Sequence, residues 1–143
     1  MKIIQLSIFL ENKPGRLAAV TEVLDAAKTN IRALSLADTL DFGVLRLVVD
    51  NTHNAALALQ KAGISVSETP VSAVQVPDCP GGLHQILQIL QTENINLEYM
   101  YSYMSRREND AIMIFQFDDL TNAERILAEN GVTVIGHSEL HAL

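Results

Sequence analysis

Two short segments hold the residue types that could receive a small charged ligand. They are Glu11-Asn12-Lys13-Pro14-Gly15-Arg16-Leu17 and Pro77-Asp78-Cys79-Pro80-Gly81-Gly82-Leu83. In each, an alternating apolar stretch stops at Pro-Gly and a helical pattern begins. The start of a helix exposes unpaired backbone N–H groups and a partial positive charge, which suits a carboxylate or another anion. Glycine at positions 15 and 81 allows a ligand to approach the backbone closely. Asn12 and Asp78, just before the turn, supply side-chain oxygens for an ammonium group. Together these groups fit the two charged ends of an α-amino acid. Asn and Asp before Pro-Gly also read as ordinary turn formers and helix caps, so the residues alone leave both roles open.

The two segments are copies within a longer repeat. Pro14-Gly15-Arg16-Leu17 returns as Pro80-Gly81-Gly82-Leu83, and Asn30-Ile31 returns as Asn96-Leu97 at the same offset. Asn54-Ala55, Leu59, Gly63-Ile64 and Val66 match Asn122-Ala123, Leu127, Gly131-Val132 and Val134 at a slightly longer one. A hairpin between the blocks could absorb the difference. Such a repeat predicts two copies of one folding unit, over residues 1–68 and 69–143, and two copies of any site that unit carries.

The elements that must position the turns follow from periodicity. Ile4, Leu6, Ile8 and Leu10 alternate with Gln5, Ser7 and Phe9, as in a half-buried strand. Pro14 suits the opening of a helix whose apolar face carries Leu17, Val20, Leu24 and Ala27, ending near Lys28-Thr29-Asn30. A second strand, Ile31 to Ala37, turns through Asp38–Gly43 and returns as Val44 to Val49. Ala55, Ala58, Leu59 and Ala62 mark a short helix that Gly63 can stop in the left-handed conformation, and Ile64-Ser65-Val66 starts a fourth strand. The second copy repeats the order: strand Val71 to Val76, a helix carrying Leu83, Ile86, Leu87 and Leu90, then Leu97–Met104 and Ala111–Phe117 around a turn at Arg106–Asn109. A helix with Ala123, Ile126 and Leu127 and a strand from Val132 to Ile135 complete it. Ser67-Glu68-Thr69-Pro70 is too short for a flexible linker. The expected fold class is α+β: two ferredoxin-like βαββαβ sandwiches in tandem, with antiparallel sheets. That architecture hosts many functions, so the site must supply the argument.

Composition narrows the classes. The 143 residues carry a net charge of −7 without a basic cluster, which argues against a nucleic-acid phosphate surface. No apolar run approaches the roughly 20 residues that span a bilayer, and no secretory pattern opens the chain, so a cytoplasmic protein is expected. Cys79, the single cysteine, lies beside a helix start, but no pattern supplies a base or an oxyanion site for a catalytic thiol. His137 and His141 have the spacing of one helical face, yet they fall in an expected strand or frayed tail without an accompanying acidic motif; no metal is expected. Tyr99, Tyr101 and Tyr103 share one face of a strand. In an acidic chain that stripe reads as core packing or a sheet contact rather than an RNA-stacking platform.

The turn residues carry a family resemblance. An acidic or Asn residue, one residue, Pro-Gly, one residue and Leu, then Asn-Ile or Asn-Leu opening the second strand, occurs in both copies and resembles the ACT domain. The resemblance covers nearly the whole chain, as two ACT modules with no catalytic domain. It implies side-by-side pairing of modules and reversible binding of a small effector, usually an amino acid, where modules associate. It also implies a regulatory rather than enzymatic role, without a cofactor, in a protein expected to be a homodimer. The matching positions are Asn12, Gly15 and Asn30 in the first copy and Asp78, Gly81 and Asn96 in the second. Leu10, Glu11, Pro14, Arg16, Leu17, Val76, Cys79, Gly82 and Leu83 would line the same turns. Some amino-acid-sensing members carry a polar residue where this chain has Leu10 and Val76, which leaves the ligand's identity open. The copies also differ: Asn12 is neutral and Asp78 anionic, and Gly82 is expected to leave more space than Arg16, so one site should bind more tightly. A regulatory subunit resembling the small subunits of acetolactate synthase is the alternative role.

Overall fold

The structure, a computed structural model, describes residues 2–38 and 41–143. The expected turn at Asp38–Gly43 therefore falls partly outside the described residues, at Thr39 and Leu40. The chain divides into two compact units: Ile4–Thr69, and Pro70–Leu143 with Lys2 and Ile3.

The first unit runs β1 (Ile3–Glu11), α1 (Arg16–Ala26), β2 (Ile31–Asp38), β3 (Phe42–Val49), α2 (Thr52–Lys61) and the opening of β4 (Ser67–Pro77). β3 lies antiparallel between β1 and β2, with Leu6 opposite Leu47, Ile8 opposite Leu45, and Leu34 also opposite Leu47. Residues directly opposite share a face, so these leucines and isoleucines present one apolar surface. Val20 and Leu24 of α1 and Ala55, Ala56 and Leu59 of α2 complete the core above it. Strict alternation along β1 fails at one place. Gln5 is fully buried, its Nε2 donating to Ser7 Oγ at 3.0 Å, while Phe9 is 76 % exposed.

The second unit continues with α3 (Gly82–Thr92), β5 (Leu97–Arg107), β6 (Asp110–Phe117), α4 (Leu120–Glu129), β7 (Val134–Ile135) and α5 (His137–His141). Its strands are antiparallel, in the order β5-β6-β4-β7. Val74, Val76, Phe115 and Phe117 pack against Ile86 and Leu90 of α3 and Ala123 and Leu127 of α4. The rings of Phe115 and Phe117 meet edge-on, centroids 5.7 Å apart.

Several expected boundaries move. Ser67–Pro70 is not a connection but the start of one 11-residue strand that runs on through Pro77, and residues 64–66 precede it as irregular chain. Pro70 is tolerated within the strand because pairing to β6 begins only at Ser72, so its missing N–H removes no bond to that strand. The β5–β6 strands extend through the expected turn to Arg107 and Asp110, leaving Glu108 at φ 58° to reverse the chain. The last strand is shorter than expected. His137 and His141 are neither strand nor frayed tail: they stand on α5, their rings 4.3 Å apart. Leu140 anchors that helix by complete burial, and Tyr103 Oη donates to its carbonyl at 3.4 Å. Tyr101 and Tyr103 are buried, so the tyrosine stripe is not an exposed platform. Among the described residues no helix is long and apolar enough to cross a membrane.

Candidate functional site

The two Pro-Gly turns have the same geometry. Gly15 sits at φ 86°, ψ −9° and Gly81 at φ 86°, ψ −6°, each as the residue that caps its helix. This is left-handed backbone that a side chain strains, although a Cβ at either position would meet no atom within 4 Å. Pro14 and Pro80 lie in the turn itself; the first helical residues are Arg16 and Gly82, not the prolines. The turn closes on itself, with Arg16 N–H donating to Lys13 O at 3.4 Å and Gly82 N–H to Cys79 O at 3.0 Å.

The helix starts at these turns differ from the other long ones. Asn51 caps α2 by accepting from Asn54 N–H at 3.1 Å, and Asp119 caps α4 by accepting from Asn122 N–H at 3.2 Å. α1 and α3 have no side-chain cap. Among the described residues nothing accepts from the amides of Leu17 and Ala18, or of Leu83 and His84. Asn12 and Asp78 therefore do not cap the helices they precede, the ordinary role their sequence position allowed. Four N–H groups are left pointing out of two turns, available to an anion.

Around the first turn the predicted residues come together. Leu10, Glu11, Asn12, Arg16 and Leu17 line a recess of about 80 Å³ with Lys13, Leu36 and Gly43. Leu10, Glu11 and Arg16 also border a larger cleft of about 390 Å³, which continues past Phe9, Phe42 and Ile64. Glu11 holds Lys13 Nζ at 3.0 Å, and Arg16 Nη2 stands 3.7 Å away. The hydrogen bond from Lys13, its charge and then that of Arg16 lower the Glu11 carboxyl below its usual 4.5.

The second turn is arranged differently. Asp78 is paired with Arg106, Nη2 to Oδ2 at 2.5 Å, and Arg106 also donates to Asn109 O. Gly82 does not open space as expected. It is buried, and a Cβ there would stand 2.0 Å from Pro77 O. A cleft of about 240 Å³ lies alongside, bordered by Gln75, Pro77, Gly82 and Asp110. Gln75 Nε2 donates to Asp110 Oδ2 at 2.7 Å, and both residues line it. Val76 faces the core, and Cys79 is an exposed free thiol.

Within its own unit, neither Asn30 nor Asn96 is brought to the Pro-Gly turn. They stand beyond the far ends of α1 and α3, about 16 Å of helix away for α1's 11 residues. Asn30 is clamped to Asp50, its N–H donating to Oδ1 at 2.9 Å and its carbonyl accepting from Asp50 N–H at 3.1 Å. Asn96 O accepts from Asp118 N–H in the same way. Phe9, Phe42 and the Gly63–Ser65 segment border the cleft without having been singled out in the sequence. Phe9 stood at a strand position that alternation assigned to the wet face, and only its neighbours in space reveal it. Among the described residues no group of His, Cys, Asp and Glu is arranged to hold a metal.

The comparisons fit this geometry. The whole sequence, residues 1–143, matches the ACT domain pair family. A crystal structure of a Bacteroides thetaiotaomicron protein is 38 % identical, covers 100 % of this chain and 98 % of its own, and superposes with a TM-score of 0.92. The ligand-free regulatory subunit of aspartate kinase from Thermus thermophilus shares the fold at 16 % identity, covering 88 % and 90 % of the two chains with a TM-score of 0.64. The corresponding subunit from Thermus flavus does so at 15 % identity, 90 % and 92 % coverage and a TM-score of 0.61. No curated protein matches the sequence. With a Pro-Gly turn of one geometry in each half and a family match end to end, the chain belongs to the ACT domain pair family.

Proposed function

We propose that this chain is a regulatory protein of amino-acid metabolism that binds a small effector, an α-amino acid, at its strand-to-helix turns. The observation that carries this reading is the contrast in capping. α2 and α4 are closed by Asn51 and Asp119, whereas α1 and α3 begin at left-handed glycines with their amides uncovered. In the first copy the amides of Leu17 and Ala18 receive the ligand carboxylate, Asn12 and Glu11 receive its ammonium, and Leu10 and Leu17 contact its apolar part. In the second copy Asp78 can take the ammonium only after releasing Arg106, so occupancy there is weaker. The reading includes two ferredoxin-like modules of the ACT type paired side by side, a cytoplasmic homodimer, and no reaction of its own. A ligand that prefers one arrangement of modules shifts the population toward it, which is how binding would reach a partner.

A second reading makes the chain a regulatory subunit of a biosynthetic enzyme such as acetolactate synthase. The fold shared with the regulatory subunit of aspartate kinase speaks for it. Co-purification with a catalytic subunit supports that role, and a stable homodimer isolated alone counts against it. The primary reading is tested by a calorimetric screen of the common amino acids, repeated with Asn12→Ala and Asp78→Ala. Binding that weakens in Asn12→Ala supports it. Failure of the native chain to bind any of them, or binding indifferent to both changes, sinks it.

A further inference from the structure

We propose that the occupied cleft is the one in the first unit and that its ligand is an α-amino acid with an aromatic side chain. This rests on the reading above and narrows it to one site and one ligand class.

The two clefts are the same cleft, repeated. Phe9, Arg16 and Ala19 of the first correspond in the repeat to Gln75, Gly82 and Gln85 of the second, Phe42 to Asp110, and Ile64 to Val132; all of them line. The scaffold is kept and the contents change. In the second cleft the polar groups answer one another, since Gln75 donates to Asp110 at 2.7 Å. Its place for a cation is lost, because Pro77 O occupies the space a side chain at Gly82 would need. That cleft is also the smaller, about 240 Å³ against about 390 Å³. Only the larger falls within the roughly 300–1,000 Å³ typical of small-molecule pockets.

The first cleft offers a ring platform and a charge pair together. Phe9 stands opposite Val44 and Glu11 opposite Phe42, so both phenylalanine rings rise from one face of adjacent strands as diagonal neighbours. Phe9 is 76 % exposed and Phe42 52 %, a large apolar area turned toward a cleft. Aromatic rings prefer an aromatic partner in an edge-on or offset arrangement, beyond the area buried. Beside them, Glu11 holds Lys13 Nζ at 3.0 Å through one carboxylate oxygen, and its other oxygen stands 3.7 Å from Arg16, a looser contact. A zwitterionic ligand fits these groups: Arg16 joins the amides of Leu17 and Ala18 at its carboxylate, and the oxygen of Glu11 that faces Arg16 joins Asn12 at its ammonium.

Calorimetric titration of the full chain with phenylalanine, tyrosine, tryptophan, leucine, lysine and glutamate tests this. The expected result is one ligand per chain, with an aromatic amino acid binding about two- to tenfold tighter than leucine. Phe9→Ala and Phe42→Ala should each weaken that binding about tenfold, while Gln75→Ala leaves it unchanged. Both phenylalanines are exposed, and unchanged melting curves verify that the variants fold. Phenylalanine amide, which lacks the carboxylate, should bind more weakly than phenylalanine in the native chain, and Arg16→Gln should narrow that difference. Preferred binding of a non-aromatic amino acid, still sensitive to Asn12→Ala, overturns the inference and leaves the general reading standing. Two ligands per chain, or indifference to Phe9→Ala and Phe42→Ala, also overturns it. Absence of any amino-acid binding overturns both.

Discussion

Adjacent glycines in the second turn should respond to the same substitution for different reasons. A Cβ at Gly82 would lie 2.0 Å from Pro77 O, 2.9 Å from Pro77 C and 3.1 Å from Pro77 Cβ. The first two are backbone atoms and cannot rotate aside, so α3 must shift relative to the end of β4. Overpacking of this kind costs about 1–3 kcal/mol, and contact with a backbone carbonyl places Gly82→Ala near the upper end, about 3 kcal/mol. Gly81→Ala meets nothing within 4 Å but must hold φ 86°, and should cost about 1–2 kcal/mol. Gly81→Asn should cost less, because Asn tolerates left-handed backbone. Arg16→Ala, the matching change in the first copy, removes an exposed side chain and should stay within about 0.5 kcal/mol. Urea unfolding followed by circular dichroism reads these differences. With m near 1–3 kcal/mol/M, Gly82→Ala should lower the midpoint of the affected transition by about 1 M or more. If Gly82→Ala is milder than Gly81→Ala, the packing argument for the second turn is wrong.

Other consequences follow from the same geometry. Asn51→Ala and Asp119→Ala each remove a side-chain cap and should cost about 1 kcal/mol by urea unfolding, whereas Asn12→Ala, which caps nothing, should leave the midpoint within error. Arg106→Ala breaks an exposed ion pair with Asp78, more than half exposed on both sides, and should change stability by less than about 1 kcal/mol. If the same variant improves amino-acid binding at the second turn, Arg106 is competing with ligand for Asp78. The Glu11 carboxyl should titrate below 4.5 by NMR and move back up in Lys13→Ala. Since its folded value is the lower one, the stabilising contribution of its charge is present above the unfolded value and fades as pH falls through the folded one. An unperturbed Glu11 would contradict the geometry of the Lys13 contact.

Much of the scaffold is legible in the sequence because it rests on local rules. Alternation marks β1, and Leu24 and Leu90 mark helical faces. Gly63 and Gly131 close α2 and α4 at φ 78° and 77°. Gly15 and Gly81 betray the turns for the same reason: left-handed backbone has few other occupants. What sequence could not supply depends on atoms far apart along the chain. Asp78 and Arg106 are separated by 28 residues, so nothing near Asp78 announces its partner. Gly82 reads as open space until Pro77 is found filling it. Ser67–Pro70 reads as a connection until it is seen to be the first part of β4, with pairing to β6 beginning at Ser72. Asn30 carries a family motif beside β2, yet its backbone N–H and carbonyl are tied to Asp50, at the far end of α1 from the turn. Phe9 reads as a wet-face residue, and only the register places it diagonal to Phe42 at a cleft.

The most direct test of amino-acid binding at the first turn is a crystal structure of the chain grown with the amino acid it binds most tightly. The account predicts that ligand at Gly15, its carboxylate on the amides of Leu17 and Ala18 and its ammonium beside Asn12 and Glu11. A ligand found away from both Pro-Gly turns, or a side chain already capping those amides, would contradict it.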